Sequence, residues 1–162
     1  MVKNILFDLD GTLLPMDSDN FLKLYMLSMY EYFSYLYKDV HELSKDVMKG
    51  THLMTINDGS RTNEEVFWEF FKSIHEDNAK VIFEKYKDYY DGPFIKAKIA
   101  TKENPYANLL IKELKKKGYN LILATNPLFP RIATLNRIKW AGLDPNDFTL
   151  ITTYENSSYC KP

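Results

Sequence analysis

One cysteine, Cys160, is all that the chain carries in 162 residues. An intramolecular disulfide and any multi-cysteine metal site are therefore excluded, and a reducing cytoplasm is the default setting. An excess of either charge is lacking too: 21 Lys and Arg stand against 22 Asp and Glu, for a formal net charge of −1. That balance gives no electrostatic reason to expect nucleic acid or an anionic membrane as a partner. There is no long uninterrupted apolar run. The richest stretch, "FLKLYMLSMYEYFSYLY", contains Lys23 and Glu31 and is about as short as a spanning helix can be, so it reads as a buried amphipathic helix. No secretory leader is read at the start, because Asp8 and Asp10 interrupt the only early apolar stretch. What remains, 45% hydrophobic and 27% charged, is the composition of a soluble globular protein with room for one ordinary domain, or a small core carrying an insertion.

Three segments read as strands: "VKNILFDLD", "GYNLILATN" and "DFTLITTY". The first is apolar at consecutive positions, as expected of a strand covered on both faces. Two helical patterns flank the second strand. "NPYANLLIKELKKKG" has Pro105 inside its start, Gly118 after its end, and Ala107, Leu110, Ile111 and Leu114 on one face; "FPRIATLNRIKWAGL" has Pro130 near its first turn and Gly142 past its end. Helix alternating with strand predicts a parallel sheet with crossover helices. Residues 16–94 break that rhythm with four helical patterns and no strand. The first is capped by Asp17 or Ser18, the second is ended by Gly50, and the third opens with a Thr62–Glu65 capping box followed by a stripe of Val66, Phe67, Phe70, Phe71 and Ile74. The fourth starts at Asp77 and places Ala79, Ile82, Phe83, Tyr86 and Tyr90 on one side. The expectation is an α/β, Rossmann-like core formed by residues 1–15 and 95–162, with 16–94 inserted as a helical cap.

Ligands of open α/β sheets bind beyond the carboxyl ends of the strands. Asp8 and Asp10 stand at that edge of the first strand, and Thr125 and Asn126 at that edge of the second. Alternation along an extended backbone puts both carboxylates on one side, where they repel unless a cation lies between them. Two uses follow. A carboxylate can bind Mg²⁺ together with phosphate oxygens, or attack phosphorus while its neighbour carries a proton. Gly11 allows a tight turn next to the ligand. A lone Asp-x-Asp, however, is equally a polar turn after a strand.

The pair is not alone. "FDLDGTLL" resembles the first motif of the haloacid dehalogenase superfamily in its phosphatase form, "LILATN" looks like the second, and "YCKP" looks like the third. The order, the spacing and a helical insertion like the family's type 1 cap agree over the whole chain. The resemblance implies a Mg²⁺-dependent phosphatase of a small phosphorylated metabolite. In it Asp8 is the nucleophile and a metal ligand, and Asp10 is the general acid and base, with its carbonyl on the metal. Thr125 holds the phosphoryl group, Lys161 offsets negative charge, and Gly11, Thr12 and Asn126 bind substrate. Phosphoryl transfer is mostly positioning and charge stabilisation, which suits these roles. No fourth motif with further acidic ligands follows Lys161, so the chain is expected to be a fragment of a longer phosphatase, its sheet incomplete and its first strand at an edge. Asp144 and Asp147 lie in "GLDPNDF" and read as turn formers.

A phosphomutase of the same family, a noncatalytic binding module that retains the fold, and a receiver-like domain phosphorylated on Asp are the rival readings. His41, His52 and His75 have no metal-ligand spacing and read as solvated, as does Arg131. Cys160 has no nucleophilic partner. Asn126 divides between touching substrate and capping the next helix. Tyr25, Tyr30 and Tyr32 divide between bundle core and substrate contact.

Overall fold

The first apolar run forms β1 (Asn4–Phe7), which pairs in parallel with β2 (Asn120–Leu123); Asn4 stands opposite Asn120 and Phe7 opposite Leu123. β2 pairs in turn with the two-residue β3 (Leu150–Ile151), giving the order β1-β2-β3 with β1 at the edge. The computed structural model describes residues 3–75 and 78–162. Parallel neighbours need crossovers: α5 (Pro105–Lys116) leads into β2, and α6 (Arg131–Trp140) joins β2 to β3. The local grammar of these helices is the one the sequence predicts. Asn104 caps α5 by accepting from the Tyr106 amide at 3.2 Å, and Gly118 (φ +80°) and Gly142 (φ +74°) follow the helix ends in the left-handed conformation that favours glycine. The result is the α/β, Rossmann-like architecture expected.

β3 is shorter than "DFTLITTY" suggests, although the amides of the threonines flanking it still bond to residues of β2. The Thr149 and Thr152 amides donate to the carbonyls of Leu121 and Leu123 at 2.8 and 3.0 Å, and the Thr152 hydroxyl turns back to the carbonyl of Thr125 at 2.6 Å. Nor is β1 covered on both faces. Leu121, Leu123 and Ile151 are buried on one face, whereas Leu6, 63% exposed, and Leu150, 50% exposed, lie on the other in register with Ile122 between them.

Between β1 and α5 the chain forms α1 (Ser18–Phe33), α2 (Val40–Thr55), α3 (Asn63–His75), α4 (Ala79–Asp91) and a 3₁₀ segment, Pro93–Ala100, that packs on α1. Asp17 caps α1, accepting from the Asn20 amide at 3.1 Å. The capping box of α3 forms: Glu65 accepts from the Thr62 amide at 2.8 Å and Thr62 accepts from the Glu65 amide at 3.2 Å. The aromatic side chains make the core of this segment, and their buried hydroxyls find partners, Tyr25 with Tyr90 and Tyr89 with Ser28, each at 2.8 Å. Tyr25 is therefore core.

Several expectations are corrected. Gly50 does not end α2, which continues to Thr55; it lies against α3, where a Cβ would come within 2.8 Å of the Phe67 ring. On α3 Trp68 is buried and Ile74 exposed, and on α4 Phe83 is exposed, because the neighbouring helices set the phase of each stripe. His75 is not solvated. It packs between Tyr37 and Asp46, which come from the α1–α2 linker and from α2. The expected helix start at Asp77 lies outside the described residues. The segments entering and leaving the helical region run side by side: the Asp17 amide donates to Ala100 and the Lys102 amide to Pro15, both at 2.9 Å. Among the described residues no helix is long and apolar enough to cross a membrane.

Candidate functional site

The ladder between β1 and β2 ends where the Ala124 amide donates to the carbonyl of Phe7 at 2.8 Å, and the chain then turns at once. The Thr12 and Leu14 amides return to the Leu9 carbonyl at 3.1 and 2.8 Å, and the Gly11 amide donates to Leu14 at 2.9 Å. Gly11 has φ +76°, a conformation that costs glycine nothing. Leu9, Leu13 and Leu14 are buried and anchor the turn. The carboxylates of Asp8 and Asp10 are thus carried by a short rigid element at the sheet edge.

Asp8 is met from two directions. Lys161 Nζ lies 2.6 Å from its Oδ1, and the Thr12 hydroxyl donates to its Oδ2 at 3.2 Å. The Lys161 amide donates to Oδ1 of Asn126 at 3.2 Å. Asn126 therefore braces Lys161 and does not cap α6, whose first amide, that of Arg131, is held by both oxygens of Glu155 at 2.8 and 3.0 Å. Thr125 is buried one residue before Asn126, its carbonyl held by Thr152. Direct contacts join Asp8, Thr12, Lys161 and Asn126. Thr125 adjoins them through the chain, and Asp10 is turned elsewhere.

Asp10 Oδ2 is paired with Nη1 of Arg137, a residue the sequence reading passed over. Arg137 lies on α6, is 1% exposed, donates from Nη2 to the Thr134 hydroxyl at 3.3 Å, and sits 4.2 Å from the centroid of the Phe129 ring. One signal for it is present in the sequence. Ala133, Thr134, Arg137 and Ile138 share the buried face of α6 at helical spacing, so the arginine is in phase with the core. Among the described residues, Asp10 Oδ1 and Arg137 Nε are buried without a partner. Asp144 and Asp147 are engaged locally, the first with the Asn146 amide at 2.9 Å and the second with Lys115. Cys160 is half-buried between the Asn63 amide and the Met54 carbonyl, and burial pushes its thiol pKa up, with the Asn63 hydrogen bond opposing.

Asp8 and Asp10 offer only hard oxygen donors, and the Asp8 side chain is 39% exposed at the sheet edge. That donor set fits Mg²⁺, which takes one or two carboxylates and fills its remaining positions with water and phosphate oxygens. Among the described residues no group of three His, Cys, Asp or Glu side chains is placed to hold a metal.

A model of the haloacid dehalogenase-like hydrolases matches residues 2–153. No curated protein matches the chain. Among solved structures, the chain is similar to YfnB of Bacillus subtilis, assigned as a HAD-hydrolase and crystallised bound to magnesium. The identity is 20% and the TM-score 0.52, over 98% of this chain and 67% of that one. A protein of Clostridium difficile assigned as a phosphatase is 22% identical with a TM-score of 0.43, over 97% and 64% of the two chains. A protein of Bacteroides fragilis assigned as a haloacid dehalogenase-like hydrolase is 20% identical with a TM-score of 0.46, over 100% and 68%. The chain thus spans about two thirds of the length of these proteins.

Proposed function

Because this chain belongs to the haloacid dehalogenase-like hydrolases, we propose that it is a Mg²⁺-dependent phosphatase that hydrolyses a small phosphorylated metabolite through an aspartyl-phosphate on Asp8. The observation that carries the reading is the ion pair of Lys161 with Asp8 at the end of β1, 2.6 Å long and partly open to solvent. A carboxylate beside a fixed cation at the carboxyl edge of a parallel sheet is placed to meet a phosphate.

A carboxylate oxygen of Asp8 forms a bond to phosphorus while the ester P–O bond breaks. Asp10 delivers a proton to the departing oxygen, then takes one from the water that opens the aspartyl-phosphate and frees the Asp8 carboxylate. Thr125 and Asn126 hold phosphoryl oxygens, the turn at Gly11 and Thr12 frames the phosphate, and Lys161 balances the charge that Asp8 and phosphate bring together. The Asp8 carboxylate and the Asp10 carbonyl would hold Mg²⁺, which would supply further neutralisation of the phosphate charge. Helices of residues 16–94 serve as the cap. The side chain of Asn63 supports this role, since it reaches Pro127 and Cys160, the neighbours of Asn126 and Lys161. A cytoplasmic setting suits the single thiol.

The test is release of inorganic phosphate from a panel of phosphorylated metabolites by the full-length protein, with Mg²⁺ and with chelator. Mg²⁺-dependent release that Asp8→Asn abolishes is the expected result. Turnover that survives in Asp8→Asn overturns the mechanism, and failure to turn over any phosphate ester overturns the reading.

A further inference from the structure

We infer that Arg137 is a positioning residue for proton transfer: it ties one oxygen of the Asp10 carboxylate to a fixed donor and so sets the orientation of the group. The inference rests on the reading of Asp10 as acid and base.

The guanidinium is constrained on three sides. Its face lies 4.2 Å from the Phe129 ring centroid, Nη2 donates to the Thr134 hydroxyl at 3.3 Å, and Nη1 is left pointing at Asp10 Oδ2. Thr134 is itself directed, because its hydroxyl donates to the Pro130 carbonyl at 3.3 Å and so offers a lone pair to Arg137. A planar fork held by stacking and by a second hydrogen bond has little freedom left, so Nη1 is a fixed point supplied by α6. Asp10, by contrast, sits on a turn with its side chain 29% exposed, where a carboxylate without a partner would sample several rotamers.

The hold on one oxygen gives the pair its use. Oδ2 is committed to Arg137, and Oδ1 is buried with no partner among the described residues. With Oδ2 tied to a fixed donor, the carboxylate keeps one orientation as it gives its proton to the leaving oxygen while the P–O bond breaks and regains one from the attacking water. Proton transfer is steeply sensitive to that geometry. Lysine could keep the charge, but a point cation cannot at once stack on Phe129, bond Thr134 and aim at Asp10.

The experiment compares two phosphate esters on the full-length enzyme: an alkyl phosphate, whose leaving oxygen must be protonated, and 4-nitrophenyl phosphate, whose leaving group departs as an anion. Arg137→Lys is expected to lower kcat for the alkyl ester by on the order of 10²-fold, within the range of a general acid, to lower it far less for the nitrophenyl ester, and to leave both KM values nearly unchanged. Asp10→Asn should show the same leaving-group dependence, and the double variant should lose no more than Asp10→Asn alone. Phe129→Leu keeps the ion pair and removes only the stacked ring, so a smaller loss of the same kind is expected, and it carries the test if Arg137→Lys does not fold. Equal losses on the two esters, or a change in KM alone, overturn the positioning role. If Asp10→Asn itself shows no leaving-group dependence, the acid–base reading fails instead.

Discussion

Asn63, at the first turn of α3, donates its side-chain amide to the carbonyl of Pro127, 3.1 Å away and directly after Asn126. The same amide reaches Cys160 at 3.4 Å, and its Oδ1 accepts from Asn57 at 2.9 Å. The backbone joins in: the Asn63 and Glu64 amides donate to Ser157 and Tyr154, each at 2.9 Å. The first amides of a helix have no partner within it, and here the loops beyond the sheet edge supply the acceptors. Helical segment and site are thereby tied together away from the crossing at Pro15–Asp17 and Ala100–Lys102.

Asn63→Ala leaves the Pro127 carbonyl without its partner and takes from the Asn57 side-chain amide one of its two acceptors, the Arg61 carbonyl remaining. We expect a loss of about 1–3 kcal/mol in urea unfolding, the usual cost of a buried group left unsatisfied. Hydrogen exchange at the amides of residues 63 and 64 should quicken, since the contacts that hold this helix end weaken. Unchanged exchange at both would show that the two segments stay docked without Asn63.

Gly50→Ala tests a close helix–helix approach. Alanine gains roughly 1 kcal/mol over glycine in a helix interior, but its Cβ would meet Cδ2 and Cε2 of Phe67 at 2.8 Å. That ring is buried and stacked on Phe71 at 4.6 Å, so it has little room to yield. Overpacking of this kind costs about 1–3 kcal/mol. We expect a lowered melting temperature for Gly50→Ala and a larger drop for Gly50→Leu. A raised melting temperature in Gly50→Ala would mean that the ring gives way.

Gly50 also marks how far the sequence could be read. The Thr62–Glu65 box, the Asp17 cap and Gly118 after α5 were legible because each acts within a few residues of itself. The candidate site was legible in part for a related reason: Asp8 and Thr125 follow directly on apolar runs, and strand ends are where α/β sheets bind ligands. A glycine that stops a helix and one that lets a second helix approach look the same in sequence, and Phe67 decides between them. Arg137 shares the spacing of the buried face of α6, but its partner Asp10 is fixed only when the fold brings the two together, since 127 residues separate them. The bare face at Leu6 likewise depends on what packs across the sheet, which no local window contains.

Asp10 and Asp8 should differ in what they contribute to stability, quite apart from catalysis. The partner of Asp10 is almost wholly buried, whereas Asp8 and Lys161 are 39% and 46% exposed. Removing one member of a buried pair strands the other charge, at about 3–5 kcal/mol, while a surface pair is worth ~0–1 kcal/mol. Urea unfolding without metal or substrate should therefore find Asp10→Asn clearly less stable than the wild type and Asp8→Asn close to it. The reverse order would place the buried charge elsewhere.

His75 gives the fold a pH dependence whose sign is fixed by its surroundings. Its Nε2 lies 2.8 Å from the Tyr37 hydroxyl and 3.7 Å from Asp46 Oδ2. Burial holds its pKa below the ordinary 6.5, outweighing the pull of Asp46 and Glu42 in the other direction. The folded chain then binds this proton less readily than the unfolded chain does. Stability contributed by neutral His75 is complete above pH 6.5 and is lost as pH falls toward the lower folded pKa. Asp46 has the opposite sign at lower pH. Burial, opposed by His75, raises its pKa above 3.8, so its contribution grows as pH falls through that lower window. The urea midpoint should therefore decline between about pH 7.5 and 5.5. His75→Phe keeps an aromatic ring against Phe71, whose centroid lies 5.5 Å away, and removes the titrating group. That variant should flatten the decline while the exposed His41 and His52 remain in place. An undiminished slope in His75→Phe would assign the pH dependence to other groups and sink this account of the Tyr37–His75–Asp46 cluster.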